Sequence, residues 1–422
     1  MMAARTTIGA VLAGVMLAAC QPGPAVEPAA RLRVADVLGA APAAGFERAM
    51  EPRELAFPAD HGPHPGFRSE WWYFTGNLRS AAGRRFGYQL TFFRTALHPP
   101  GAAPPRTSAW ATDQVWMAHF AITDAGGGRF FAFDRFQRQA LGLAGASSEP
   151  WRVWLDDWSL EQTGAGPFPI RLRARAGDED GAGPAGGVGA PGGVRVDAEA
   201  AAGTVTAGGP EAGGTVAIDL ELAPLGPPVR HGDRGLSRKG PTPGNASFYY
   251  SYTRLRSAGT IVVDGATHAV EGSSWLDREW STSALEGDLV GWDWFGLQLD
   301  DGRELMFYRL RRADGSAAPA SGGTLVGADR SVSPLSAADV ELQVRGTWGS
   351  PIDGTRYPAA WTLSLPAHGI VLEVEPLLAG QELDLAFRYW EGAVSVAGRG
   401  PGGAPLSGSG YVELTGYAEG QR

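Results

Sequence analysis

Cysteine occurs once in this chain, at Cys20, and lysine once, at Lys239. A single thiol excludes a disulfide framework and any zinc site built on paired cysteines. There is no run of basic residues, and the net charge is −9. Nucleic acid is therefore excluded as an expected partner, because phosphate binding needs clustered cations. No apolar run is long enough to span a bilayer as a helix. The motifs of common enzyme classes are also missing: no G-x-S-x-G elbow, no phosphate-binding Walker loop and no dinucleotide fingerprint. With 36 Lys plus Arg in total, arginine carries nearly all the positive charge. We read that bias as compositional, alongside abundant Gly and Ala.

Glycine and aromatic residues are plentiful: 61 Gly, 14 Trp, 17 Phe and 10 Tyr. Frequent glycine fits many turns, and aromatics favour strands and fill sandwich or barrel interiors. Short apolar or aromatic stretches bounded by Gly, Pro, Asp or Asn recur from Trp71 to Tyr417. Asp264-Gly265 and Asp301-Gly302 have the composition of tight hairpin turns. No capped amphipathic helix is visible. The expected fold is all-β.

The N-terminus reads MMAARTTIGAVLAGVMLAAC. Arg5 precedes a short apolar stretch, and Leu17-Ala18-Ala19-Cys20 has the form of a lipobox. This predicts a signal peptide over 1–19, lipidation of Cys20 and a tether over 20–48. Gln21 after the cysteine points to the outer membrane, facing the periplasm. A Gly/Pro-rich insert occupies Gly177–Gly193, and residues 225–246 read as a junction. The expected domains are 49–235 and 245–420. Two aromatic hairpins, at Trp72–Arg94 and Trp294–Arg312, suggest a duplication.

Three segments concentrate chemistry. In FPADHGPHPGFRSEWWYFTGNL (57–78), strand alternation puts Glu70 and Trp72 on one face, with Trp71 and Tyr73 on the other. Glu70 is either an ion-paired clamp closing a barrel end, with Arg68 as partner, or a pocket acid. Asp60, His61 and His64 are zinc-type residues, but Pro63 and Pro65 forbid a helical ligand spacing and no further cluster completes a site. No metal and no cofactor are expected, and His64 stands as an acid–base candidate. In SSWLDREWS (273–281), Trp275, Asp277 and Glu279 share a face. Two carboxylates beside an indole are costly to bury, and a close pair raises one pKa, as a general acid requires. The alternative is a polar turn with Asp277 and Arg278 solvated. In GWDWFG (291–296), Asp293 lies between two indoles and is expected to line the same cavity.

HGPHPGFRSEWWYFTGNL, ASFYYSYTRL, SSWLDREWS, VGWDWFGLQLDDGRELMFYRLR and YWEGAVSVAG together resemble, in order, the blocks of the AttH/CrtC family. The resemblance spans Phe57 to Tyr417. It implies two tandem lipocalin-like β-barrels with a pocket between or within them. The candidate catalytic residues, read from the three segments, are Asp277, Glu279, His64 and Glu70. The candidate ligand contacts are Trp71, Trp72 and Tyr73, then Tyr250, Trp275 and Trp280, and finally Trp292, Trp294 and Tyr308. Some members of that family are carotenoid 1,2-hydratases; others are envelope proteins found beside ABC transporter components. In the hydratase branch the block matching SSWLDREWS resembles a Tyr-His-Asp-His-Asn-Trp stretch; Asp277 and Trp280 match it, whereas Trp275, Arg278 and Glu279 do not. The expectation is an envelope lipoprotein that holds an apolar small molecule or lipid, with an ABC export system as partner. The alternative is a hydratase or isomerase of the carotenoid-hydratase type acting on an apolar alkene.

Overall fold

Alternating apolar and polar residues, broken by turn-forming pairs, produce twenty-three strands and no α-helix among the described residues. The computed structural model describes residues 44–102, 107–177, 215–283 and 285–418, all within one compact unit. The signal segment, Cys20, the tether up to residue 43 and residues 178–193 of the insert lie outside them.

The first sheet contains β1 (Ser69–Ser80), β2 (Arg85–Ala96), β3 (Gln114–Asp124), β4 (Arg129–Arg138), β5 (Ala144–Ser148), β6 (Trp151–Leu155), β7 (Trp158–Gln162), β8 (Ile170–Ala176) and β9 (Val216–Pro224). The short β10 (Val229–Arg230) and β11 (Leu236–Arg238) follow, then the long β12 (Ala246–Val263) and β13 (Ala266–Ser281). The second sheet contains β14 (Leu289–Leu299), β15 (Glu304–Arg312), β16 (Gly322–Val326), β17 (Val332–Ser336), β18 (Glu341–Gly349), β19 (Arg356–Leu365), β20 (Ile370–Pro376), β21 (Glu382–Asp384), β22 (Arg388–Arg399) and β23 (Pro405–Leu414).

Each sheet is an antiparallel meander curled into a barrel. The order is β4-β3-β2-β1-β13-β12-β9-β8-β7-β6-β5 in one and β17-β16-β15-β14-β23-β22-β20-β19-β18 in the other. In both, the first strand pairs with the second and with the last. The Asp264-Gly265 turn joins β12 to β13 with φ of 50° and 76°, the left-handed geometry a two-residue hairpin requires. The expected boundary at 235–245 is corrected by this pairing. Residues 246–281, assigned to the second domain, complete the first barrel, because β13 pairs along the whole of β1 from Ser69↔Ser281 to Ser80↔Val270.

Both interiors are filled by side chains. Trp72, Phe74, Trp116, Trp151, Trp158 and Trp280 belong to the first core, and Phe295, Trp361 and Trp390 to the second. Burial of such side chains is worth about 1.5–3 kcal/mol each. Each core also closes over a carboxylate held by arginines. Glu70 on β1 takes Arg94, its cross-strand partner, and Arg278. Asp293 on β14 takes Arg309, its cross-strand partner, and Arg311. This shared device supports the duplication of the two hairpins.

The barrels pack by their outer faces. Asn77 Nδ2 donates to Gly410 O at 3.0 Å, Gln298 Nε2 to Thr253 O at 2.7 Å, and Thr123 Oγ1 to Gln381 Oε1 at 2.7 Å. Arg254 Nε reaches the buried Glu304 at 2.6 Å. At Gly87 a Cβ would lie 2.6 Å from both Ala393 Cβ and Tyr411 Oη, so glycine permits this close approach.

Candidate functional site

Cross-strand register lines up the site. On the outer face of the first barrel, Thr91, Tyr73, Asp277 and Ser251 form one row across β2, β1, β13 and β12. Phe93, Trp71, Glu279 and Tyr249 form the next. On the outer face of the second barrel, Tyr308, Trp294, Glu413 and Glu391 form a row across β15, β14, β23 and β22. Side chains in such rows are direct neighbours. The rows of the two barrels enclose a pocket with an empty volume of about 770 Å³, its open mouth included.

Asp277 sits at its centre. The Tyr249 hydroxyl donates to Oδ2 at 2.7 Å and the Trp275 indole to Oδ1 at 2.6 Å, where Ser251 Oγ donates as well. Behind Ser251, His231 Nε2 lies 2.6 Å from the hydroxyl, and His231 Nδ1 is 2.9 Å from Thr324 Oγ1 of the second barrel. Burial pushes the Asp277 carboxyl up to about 7; the Ser251, Tyr249 and Trp275 bonds pull it down, and the charge of Glu279 adds to the rise. His231 is driven the other way by burial, to about 3, with the Lys239 charge helping, so it is neutral.

Glu279 is committed elsewhere. Lys239 Nζ is 3.1 Å from its Oε1, and Ser247 donates to the same oxygen. The Lys239 ammonium lies over the Tyr308 ring, 4.4 Å from its centroid. Burial alone would lower this ammonium, but Glu279, Tyr308 and Asp277 outweigh it and raise its pKa. The one lysine of the chain is thus a pocket residue, which the compositional reading missed.

The second barrel contributes Glu391 and Glu413, neighbours across β22 and β23. Burial pushes Glu413 up to about 8, eased by the Trp292 indole and reinforced by Asp277 and Glu279. Burial and the adjacent Glu413 drive Glu391 well above the usual carboxylate range. The Tyr73 and Tyr389 hydroxyls are the hydrogen-bonding neighbours of the Glu391 carboxyl and offset part of that rise; Gln89 Oε1 is buried without a partner. The Tyr389 hydroxyl is tied 2.7 Å away to His119 Nδ1.

The predicted residues therefore divide. Asp277, Glu279, Trp71, Tyr73, Trp292, Trp294 and Tyr308 line the pocket, and Trp275 supports Asp277 from behind. Glu70 and His64 do not reach it, which corrects their assignment to the site. Burial alone would push the Glu70 carboxyl up. Arg278, Arg94 and His64 outweigh that and hold it well below its usual range. Its partners are Arg94 and Arg278, not Arg68. His64 stacks on Trp280 with centroids 3.8 Å apart, its Nε2 2.9 Å from Asp60. Trp72, Trp280 and Tyr250 face the interior of the first barrel, so they are not pocket contacts. Asp293 also points inward, between Arg309 and Arg311. Parity explains the strand residues: their sequence neighbours face the pocket and they face the core, whereas His64 precedes β1 and lies on no strand. Glu391 and Glu413 were missed because their pairing depends on β22 lying beside β23. Only the presence of Glu391 in the YWEGAVSVAG block could have drawn attention to it.

Fold and site together define a two-barrel β protein with an acid-lined cavity between the outer faces of its barrels. The chain belongs to the AttH-like family, whose profile matches residues 48–181 and 194–417. It is similar to a Nitrosomonas europaea protein described as an AttH, at 32% identity with a TM-score of 0.70, covering 88% of this chain and all of that one. It shares its fold with kievitone hydratase from Nectria haematococca, at 13% identity with a TM-score of 0.59, over 88% of this chain and 98% of that one. No curated protein matches the sequence.

Proposed function

We propose that the pocket between the barrels is the active site of an enzyme that adds water to, or shifts, a carbon–carbon double bond in a largely apolar substrate. The observation that carries this reading is Asp277: a fully enclosed carboxyl, held by three donors, whose pKa is raised to about 7 among indole and phenol rings. A site that only stores an apolar molecule has no use for buried acids without cationic partners, which are costly. Perturbed acids in a cleft are what acid catalysis needs. The kinship of fold with a hydratase is compatible with this reading.

In the proposed reaction, the protonated Asp277 carboxyl delivers its proton to one alkene carbon. The C=C electron pair forms the new C–H bond and leaves a carbocation on the other carbon. The Trp294 and Trp292 faces and the neighbouring carboxylates stabilise that charge. In hydration, a water oxygen bonds to the cation and loses a proton to the Asp277 carboxylate, restoring the acid. In isomerisation, the cation instead loses a proton from an adjacent carbon to the Asp277 carboxylate, the C–H pair forming the shifted double bond. Glu279, neutralised by Lys239, fixes local polarity and donates no proton.

The test is incubation of the protein with an apolar extract of its host in water enriched in deuterium and oxygen-18, followed by mass spectrometry. Hydration places both labels in product and isomerisation places deuterium alone. Asp277→Asn should lower labelling by about 10²–10⁴-fold. If wild type and variant carry the same unlabelled apolar molecule, the protein is a binder and the enzymatic reading fails.

We also propose that the protein acts as a lipid-anchored envelope component, on the strength of the lipobox at Leu17–Cys20. Radiolabelled palmitate should enter the wild type and be absent from Cys20→Ala; labelling of both would overturn the anchor.

A further inference from the structure

Among the described residues, three carboxyls of the pocket have no ion-pair partner. Lys239 is paired with Glu279, which leaves Asp277, Glu391 and Glu413 lining the cavity without a salt bridge of their own. Tyr73, Tyr249, Tyr308 and Tyr389 supply hydroxyls, and the nearby His119 and His231 are neutral, each driven by burial to about 3. Glu391 is 2% exposed, with the neutral Tyr73 and Tyr389 hydroxyls as its hydrogen-bonding neighbours. A carboxyl buried among neutral groups is costly unless a cation reaches it from outside. Trp292 and Trp294 line the pocket beside the two glutamates, and Trp71 lines it from the first barrel. Aromatic faces with carboxylates between them make up the recognition chemistry of organic ammonium ions. Among the described residues no three His, Cys, Asp or Glu side chains converge as metal ligands.

We propose that this pocket selects organic cations, an ammonium group on an apolar body, with Glu391 and Glu413 as counter-ions and with release of a proton on binding. The inference rests on the pocket being the ligand site, as in the proposed function, and does not depend on turnover. Without ligand the close carboxyls stay neutral by holding protons. An entering cation favours their charged forms, so a proton leaves as the cation arrives. The same arrangement would favour the carbocation of the proposed reaction.

Phenyltrimethylammonium and its neutral isostere tert-butylbenzene separate charge from shape. Titration calorimetry of the full protein, in two buffers of different protonation enthalpy at pH 7, reads affinity and proton release together. The ammonium ion should bind roughly tenfold or more tightly than the isostere and release up to about one proton. Its affinity should rise with pH between 6 and 8, while that of the isostere stays flat. Glu391→Gln should remove most of the preference and the proton release. The wild-type pH series provides the same test if that variant does not fold. Equal binding of the two probes, or binding without proton release, overturns the inference. Labelled product from an alkene with no ammonium preference would sink this proposal alone. Ammonium binding with no labelled product would sink the enzymatic reading alone.

Discussion

Lys239 shows how much one side chain can hold in place. Its ammonium neutralises Glu279, bonds Ser237 Oγ at 3.1 Å and caps the Tyr308 ring. Replacing it with methionine leaves Glu279 charged and enclosed, which should cost about 3–5 kcal/mol in urea denaturation. The double variant Lys239→Met/Glu279→Gln should recover most of that loss. Additive losses in the two single variants would mean that the pair is not coupled. At this scale the sequence was partly legible. Alternation placed Trp275, Asp277 and Glu279 on one face and separated Trp71 and Tyr73 from Glu70 and Trp72, as the strands now show. Which face met a pocket was not legible, because a strand bears two faces and only tertiary packing distinguishes them. Lys239 follows the three-residue β11 and carries no periodic signal at all.

Among the elements, the β1–β13 seam decides most. It closes the first barrel and carries the Glu70 clamp on its inner side and Asp277 on its outer side. Arg278→Met should destabilise the protein by about 3–5 kcal/mol, since Glu70 then keeps Arg94 as its one arginine, beside the His64 backbone N–H and ring; a change within about 0.5 kcal/mol would refute the clamp. Gly87→Val tests the contact between barrels, because the added side chain meets Ala393 and Tyr411. Overpacking of this kind costs about 1–3 kcal/mol. The expected readout is faster hydrogen exchange in β22 and β23, with the inner strands β7 and β8 unchanged. Hairpins joined by short turns could be read from composition, as at Asp264-Gly265. The pairing of β1 with β13 could not, because it links segments far apart in the chain and has no local signature. That is why residues 246–281 were assigned to the wrong barrel.

For the whole molecule, buried acids and buried histidines set opposite pH dependences. His61, His119 and His231 have folded pKa values of about 3 against 6.5 unfolded. The unfolded chain therefore binds more protons, and their contribution is lost as pH falls from 6.5 towards 3. Asp277 and Glu413 are raised to about 7 and about 8, so their contribution is complete below about 4 and is lost as pH rises through those values. The two trends oppose each other between about 4 and 6.5, and above 6.5 only the acids act. Urea denaturation should show a plateau in that window and a decline of a few kcal/mol by pH 8. Asp277→Asn should reduce the decline and gain stability at pH 8 relative to pH 5.5. An unchanged decline would show that Asp277 is ionised throughout.

The late position of β13 also bears on how the protein comes into being. While the chain is synthesised, β1 has β2 on one side and an open hydrogen-bonding edge on the other until residues 266–281 emerge. An unfinished product ending near residue 245 would present that edge together with the aromatic interior behind it, a template for intermolecular pairing. Arrival of β13 ends this exposure and in the same event delivers Asp277 and Glu279, so the acid side of the pocket begins to form only once the first barrel is sealed.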